Sequence, residues 1–311
     1  MQEKYFGVVG DPGGQFHRIC RVLNGNIYLN ESKPLPQDLL EKHNFEPGVN
    51  EEEAIASILD EIDRSESKFG RSNVSRMELE PRKVYPRIAR PLPTGYKRGN
   101  IVSGLQEKYH RNMLFFSRQL ESLCSMLDDI FYVIYPDEKN YNVYGSRLRE
   151  FLLLACTEVE SQLKGVLNSN NYSSLKWNLN MIDYKKIENA TRISSYGVKI
   201  LGYDSIKELE PFSIWNSSEC AGLSWYQAYN LVKHDREKNF DQANLRNCIE
   251  AISARFLMGF VQYGNAWLDK SDKIKRCFFV SKFPEWRINE CYHGIHDVSN
   301  SKVTECFYDF N

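Results

Sequence analysis

The stretch Leu223-Ser-Trp-Tyr-Gln-Ala-Tyr-Asn-Leu-Val-Lys-His-Asp-Arg236 holds the residues of this 311-residue chain best suited to chemistry. Read as a helix, it sets Asn230 and His234 on one face, one turn apart. Trp225, Ala228, Tyr229 and Val232 form a neighbouring, mostly apolar face that can pack inward, and Lys233 and Arg236 add positive charge. An imidazole that titrates near neutrality can move protons. A cation can stabilise charge developing on a phosphate. An amide can hold the imidazole or a ribose in place. The set suits cleavage of RNA, whose own 2′-hydroxyl can be the nucleophile, so neither a metal nor another cofactor is called for. The same pair can also fix helix packing or simply face water. An exposed, cation-lined His234 fits catalysis; one sealed in the core fits a structural role.

Other clusters are less specific. Cys291, His293, His296 and Cys306 hold zinc-type atoms, but Cys-x-His-x2-His is not a standard finger spacing, and no bound metal is expected. The Gly10–Gly14 segment, GDPGG, lacks the Lys-Ser/Thr of a phosphate loop and reads as a turn. Between 82 and 98, Arg82, Lys83, Arg87, Arg90, Lys97 and Arg98 interleave with Tyr85 and Tyr96, a mixture that suits single-stranded nucleic acid or a solvated linker.

The elements that must position these groups can be read from periodicity. Residues 16–30, FHRICRVLNGNIYLN, place Asn24-Gly25 between two β-prone runs, the pattern of a type I′ hairpin. Asn50 and Glu53 resemble a capping box ahead of Ala54, Ile55, Ile58, Leu59 and Ile62 at helical spacing. Together, 1–67 make a small α/β segment. Residues 68–100 read as a basic, proline-containing linker or arm. A helical bundle over 101–268 follows, with a C-terminal extension at 269–311.

Within the bundle, Tyr109, Met113, Phe116, Leu120, Leu123, Leu127, Ile130 and Ile134 mark a long helix closed by Pro136. Leu148, Leu152, Ala155, Val159, Leu163 and Val166 mark a second, over about 145–167. A shorter helical stretch is expected near 183–200, the candidate helix at 223–236, and a last long helix over about 241–268. Cys277–Val280 reads as an edge strand. The fold class is therefore mainly α: a bundle of four to five helices with a small N-terminal α/β segment.

Composition bounds the partners. Lys and Arg number 40 against 41 Asp and Glu, a formal charge of −1, so any anion-binding surface must be local. No apolar run approaches the roughly 18–20 residues that span a bilayer. With no signal-peptide pattern at the N-terminus, a cytoplasmic protein without a membrane partner is expected. Eight cysteines without a CxxC pair read as reduced thiols.

Asn230-x3-His234, preceded by a helix with the paired acids Glu158 and Glu160, resembles the HEPN superfamily. The segment Arg149–Lys164, taken with WYQAYNLVKHDR, also resembles bacterial proteins associated with phage defence. The resemblance implies a four- to five-helix bundle, metal-independent RNA cleavage or toxin activity, and pairing of two protomers. It assigns His234 as acid/base and Asn230 as positioning group. The family's Arg would fall at Gln227, Ala228 or Tyr229, none of them basic, which leaves Lys233 or Arg236 as phosphate partner. The alternative is a non-catalytic, HEPN-like interaction or scaffold subunit of a defence complex that binds protein or RNA.

Overall fold

The computed structural model describes residues 3–10, 16–29, 33–65, 72–91, 101–102, 106–173, 179–217, 222–292 and 303–310. The chain divides into two compact units. The first comprises Met1–Val84, Arg90–Gly104 and Glu285–Glu305; the second comprises Tyr85–Ala89, Leu105–Pro284 and Cys306–Asn311.

The first unit is built on strands β1 (Lys4–Gly10), β2 (Phe16–Leu23), β3 (Asn26–Leu29) and β4 (Ser72–Arg76), antiparallel in the order β3-β2-β1-β4. The β2–β3 hairpin turns on Asn24 (φ 51°) and Gly25 (φ 78°), the left-handed pair that a type I′ turn requires. Phe6, Val8, Cys20, Val22 and Ile27 share one face of the sheet. Helices α1 (Gln37–Lys42) and α2 (Glu51–Ser65) accompany it, and Ile55, Ile58 and Leu59 of α2 close the core. Asn50 does not form the expected capping box. Its carboxamide closes the preceding turn instead, accepting from the Glu46 N–H and donating to the Asn44 carbonyl.

The described part of the stretch expected as a linker, 72–91, is structured. It carries β4 and the two-residue strands β5 (Lys83–Val84) and β6 (Arg90–Pro91), the last paired with β7 (Ile101–Val102). Two of its cations are internal. Arg90 is 2 % exposed and bonds Glu78 and the Glu290 carbonyl, while Arg87 donates to Gln262 within the second unit. Lys97, Arg98 and Tyr96 lie outside the described residues.

The second unit is helical. Its frame is α3 (Gln106–Val133), α4 (Ser146–Ser169), α7 (Ser224–His234) and α9 (Leu245–Tyr263); α4 packs on α9, α3 and α7, and α7 packs on α9. Among the described residues there are more helices than the expected four to five. The short helices α5 (Met181–Lys185), α6 (Ile187–Thr191), α8 (Arg236–Asn239), α10 (Asn265–Leu268) and α11 (Asp272–Cys277) complete the unit. α9 is buried almost all round, with only Arg246 exposed and Glu250 half-buried, the pattern of a central helix.

Two boundaries differ from the periodicity. The last long helix breaks at Gly264, whose φ of 59° and ψ of −152° suit only glycine, so 265–268 forms a separate turn. The end of the 183–200 stretch is a strand, β8 (Gly197–Ile200), antiparallel to β9 (Phe278–Lys282). The edge strand read at 277–280 thus has its partner here. No described helix is long and apolar enough to cross a membrane.

Candidate functional site

α7 is anchored from its N-terminal end. Trp225 is 1 % exposed, and its indole N–H donates to the Pro211 carbonyl at 2.9 Å, with Phe212 edge-on at 5.8 Å. Ala228, Tyr229 and Val232 continue this buried face. A helix pinned along one side must present the other, and the candidate residues lie along its edge. Asn230 is half-buried; Lys233, His234 and Arg236 are exposed.

His234 is the last residue of α7. Asp235 follows with non-helical dihedrals, and its side chain accepts from the Lys238 N–H at the start of α8. Neither the Asn230 nor the His234 side chain forms a hydrogen bond to another described residue. The nearby cations are partly engaged. The Lys233 ammonium donates to the Tyr229 hydroxyl at 3.0 Å and lies 5.1 Å from that ring's centre. This bond, with a smaller contribution from the Glu160 carboxylate, raises the lysine above its ordinary value. The Arg236 guanidinium stands 5.6 Å over Phe240. Of the positions where the family Arg would fall, Ala228 and Tyr229 are buried and Gln227 is exposed.

The paired acids of α4 part company. Glu158 faces the buried Arg255, 3.8 Å from its Nε. Glu160 lies toward α7 in a cluster that sequence reading did not assemble. It pairs with Lys164 at 2.9 Å and accepts from the Tyr184 hydroxyl of α5 at 3.3 Å. Burial pushes the Glu160 carboxyl up, but Lys164, Lys233 and Tyr184 outweigh it and hold the group below its ordinary value. Burial and the Glu160 charge push the Tyr184 and Tyr226 hydroxyls up. Tyr226, Tyr229 and Lys233 recur at spacings of three and four, the one local signal for this cluster. The arrangement ties Lys233 to the Tyr229 phenol, within the field of the Glu160 carboxylate, while leaving its ammonium at the surface.

A cavity of about 870 Å³ opens at the other end of α7. Ser224, Gln227, Arg246 and Glu250 line it; Asn230 and His234 do not. Ser224 donates to Glu250 at 3.2 Å, and burial pushes that carboxyl up.

Of the zinc-type atoms in the tail, the Cys291 thiol is buried and donates to the Arg287 carbonyl. His293 and His296 lie outside the described residues, as do residues 11–14 of the glycine-rich turn. Comparison with protein-family models, curated proteins and solved structures finds no match to this chain.

Proposed function

We propose that the exposed end of α7 contacts RNA and that the helical unit acts as a HEPN-like, metal-independent endoribonuclease of the kind used in bacterial defence. The observation that carries this reading is the state of His234: exposed, its side chain without a hydrogen bond among the described residues, and flanked by the exposed cations Lys233 and Arg236. An imidazole so placed is within reach of a substrate and can serve as its acid or base. Asn230, one turn back, positions the ribose or the imidazole. Lys233, held by Tyr229, offers a fixed charge to the phosphate, and Arg236 a second one. The large cavity does not reach His234, so the substrate lies along the surface, where a second protomer can complete the site.

One observation favours a second reading. With Ala228 and Tyr229 buried, two of the three positions for the family's phosphate-binding Arg face the core. A surface that lacks this group fits an interaction or scaffold subunit that binds protein or RNA without cleaving it.

One experiment separates the two: incubation of purified protein with total RNA in EDTA, comparing wild type with His234→Ala, Lys233→Ala and Arg236→Ala. The enzyme reading expects 2′,3′-cyclic phosphate ends and a loss of about 10²–10⁴ in rate for His234→Ala. Because His234 is exposed, its stability should change by no more than about 0.5 kcal/mol. Cleavage that needs metal, or that survives in His234→Ala, rejects this site. RNA retention without cleavage selects the scaffold reading.

A further inference from the structure

Two cysteines of the helical unit meet at a surface cavity. Cys124 lies on the inner face of α3 and is 1 % exposed; Cys277 closes α11 and is half-buried. The two helices pack directly on each other. Both cysteines line a cavity of about 330 Å³ with Asp128, Phe131, Tyr203 and Arg276. Lys273 sits one turn before Cys277 on α11, and its ammonium donates to the hydroxyl of Ser125, the neighbour of Cys124. A cation is therefore held beside the pair.

Exposure gives the two sulfurs different roles: Cys277 is half-buried and open to the cavity mouth, whereas Cys124 is sealed beneath it. The neighbouring Cys124 thiol and, to a lesser degree, the Lys273 charge outweigh burial and the Asp128 carboxylate and bias the Cys277 thiol below its ordinary value. The neighbouring Cys277 sulfur and burial push the Cys124 thiol up. A thiolate-prone sulfur within reach of solvent, beside a protonated partner thiol, is the arrangement of an attacking and a resolving cysteine. Cys156 and Cys248 provide the contrast. Both are fully buried, and burial pushes both thiols up.

We propose that Cys277 and Cys124 form an oxidisable dithiol site that reacts with hydroperoxides and closes as an intramolecular disulfide. In the first step the Cys277 thiolate attacks the terminal oxygen of ROOH. The S–O bond forms, the O–O bond breaks, and RO⁻ leaves and takes a proton from water. The sulfur is oxidised to sulfenic acid and the peroxide is reduced to the alcohol. In the second step the Cys124 sulfur attacks Cys277. The S–S bond forms, the S–OH bond breaks, and the thiol proton leaves with the hydroxyl as water. A thiol reductant reverses the change. The bridge ties α3 to the start of β9.

The test uses full-length protein, reduced, exposed to hydrogen peroxide, blocked with N-ethylmaleimide and mapped by peptide mass. Cys124 and Cys277 should disappear together from the alkylated pool and reappear as one cross-linked peptide. Cys156 and Cys248 should remain alkylatable once the protein is unfolded. In Cys124→Ser the reaction should stop at a sulfenic acid on Cys277 that dimedone traps. In Cys277→Ser, Cys124 should stay reduced. The wild-type map needs no variant to fold. If other cysteines oxidise while this pair stays reduced, or if folded Cys124→Ser gives no dimedone adduct at Cys277, the proposal is overturned.

Discussion

Substituting Gln162 tests what holds the frame beneath α7. Arg255 of α9 is 0 % exposed, and its guanidinium is carried into the bundle core. Gln162 of α4 sets its carboxamide against this cation; with the amide oxygen turned to it, that oxygen lies 2.6 Å from Nε, 2.7 Å from Nη1 and 3.0 Å from Nη2. The reverse orientation would set an NH₂ group against three N–H donors. Nη2 also donates to the Phe116 carbonyl of α3 at 3.0 Å, and Glu158 stands 3.8 Å away. One buried charge thus joins three helices. Gln162→Leu removes the principal acceptor at nearly constant volume. Removing a partner from a buried charge costs about 3–5 kcal/mol when nothing replaces it. The Phe116 and Glu158 oxygens remain, so about 2–4 kcal/mol is expected here. At about 2–4 °C per kcal/mol for a unit of this size, the thermal midpoint should fall by about 4–16 °C. Gln162→Glu instead offers the guanidinium an anion of the same shape and should cost less. Unfolding in urea, followed by the fluorescence of the buried Trp215, Trp225 and Trp267, reads both variants. A Gln162→Leu protein as stable as wild type, or a Gln162→Glu protein no better than Gln162→Leu, would refute this account of the core.

Trp225→Ala should cost about 3–5 kcal/mol, since it empties a fully buried indole site and orphans the Pro211 carbonyl; denaturant midpoints check it. Gly259→Ala sets helix propensity against packing. A Cβ there would stand 2.4–2.7 Å from three ring atoms of the buried Trp267, so strain of about 1–3 kcal/mol should outweigh a propensity gain of about 1 kcal/mol. In a Trp267→Leu background the same substitution should turn neutral or stabilising. Glu160, held below its ordinary value of 4.5, contributes stability above that pH and loses it as pH falls through the lower folded value. The stability gap between wild type and Glu160→Gln should therefore be open at pH 7 and close in acid. A gap that widens below pH 4.5 would contradict the sign of that shift.

The parts of this protein legible in the sequence are those that local chemistry dictates. Asn24-Gly25 specifies a turn because few residue pairs tolerate two left-handed conformations. The spacing of three and four along α3 and α4 predicts their buried faces, and Trp225, Ala228, Tyr229 and Val232 predict that of α7. Other features are set by contacts between distant residues. β8 is a strand because β9, far along the chain, supplies its hydrogen bonds; its own four residues, Gly197–Ile200, carry too short a pattern to tell strand from helix. α9 ends where Gly264 turns, although the apolar spacing runs on to Trp267. Arg87 and Arg90 look like solvated charge in a basic arm, yet each finds its acceptor in residues remote in sequence, Gln262 and Glu290. The Asn230–His234 spacing is visible in the residues themselves. The exposure of His234 follows from which face of α7 the bundle buries, and the influence of the Glu160 charge on Lys233 from the packing of α4 against α7. Periodicity sets the face an element offers; which distant groups meet it is decided only when the helices pack.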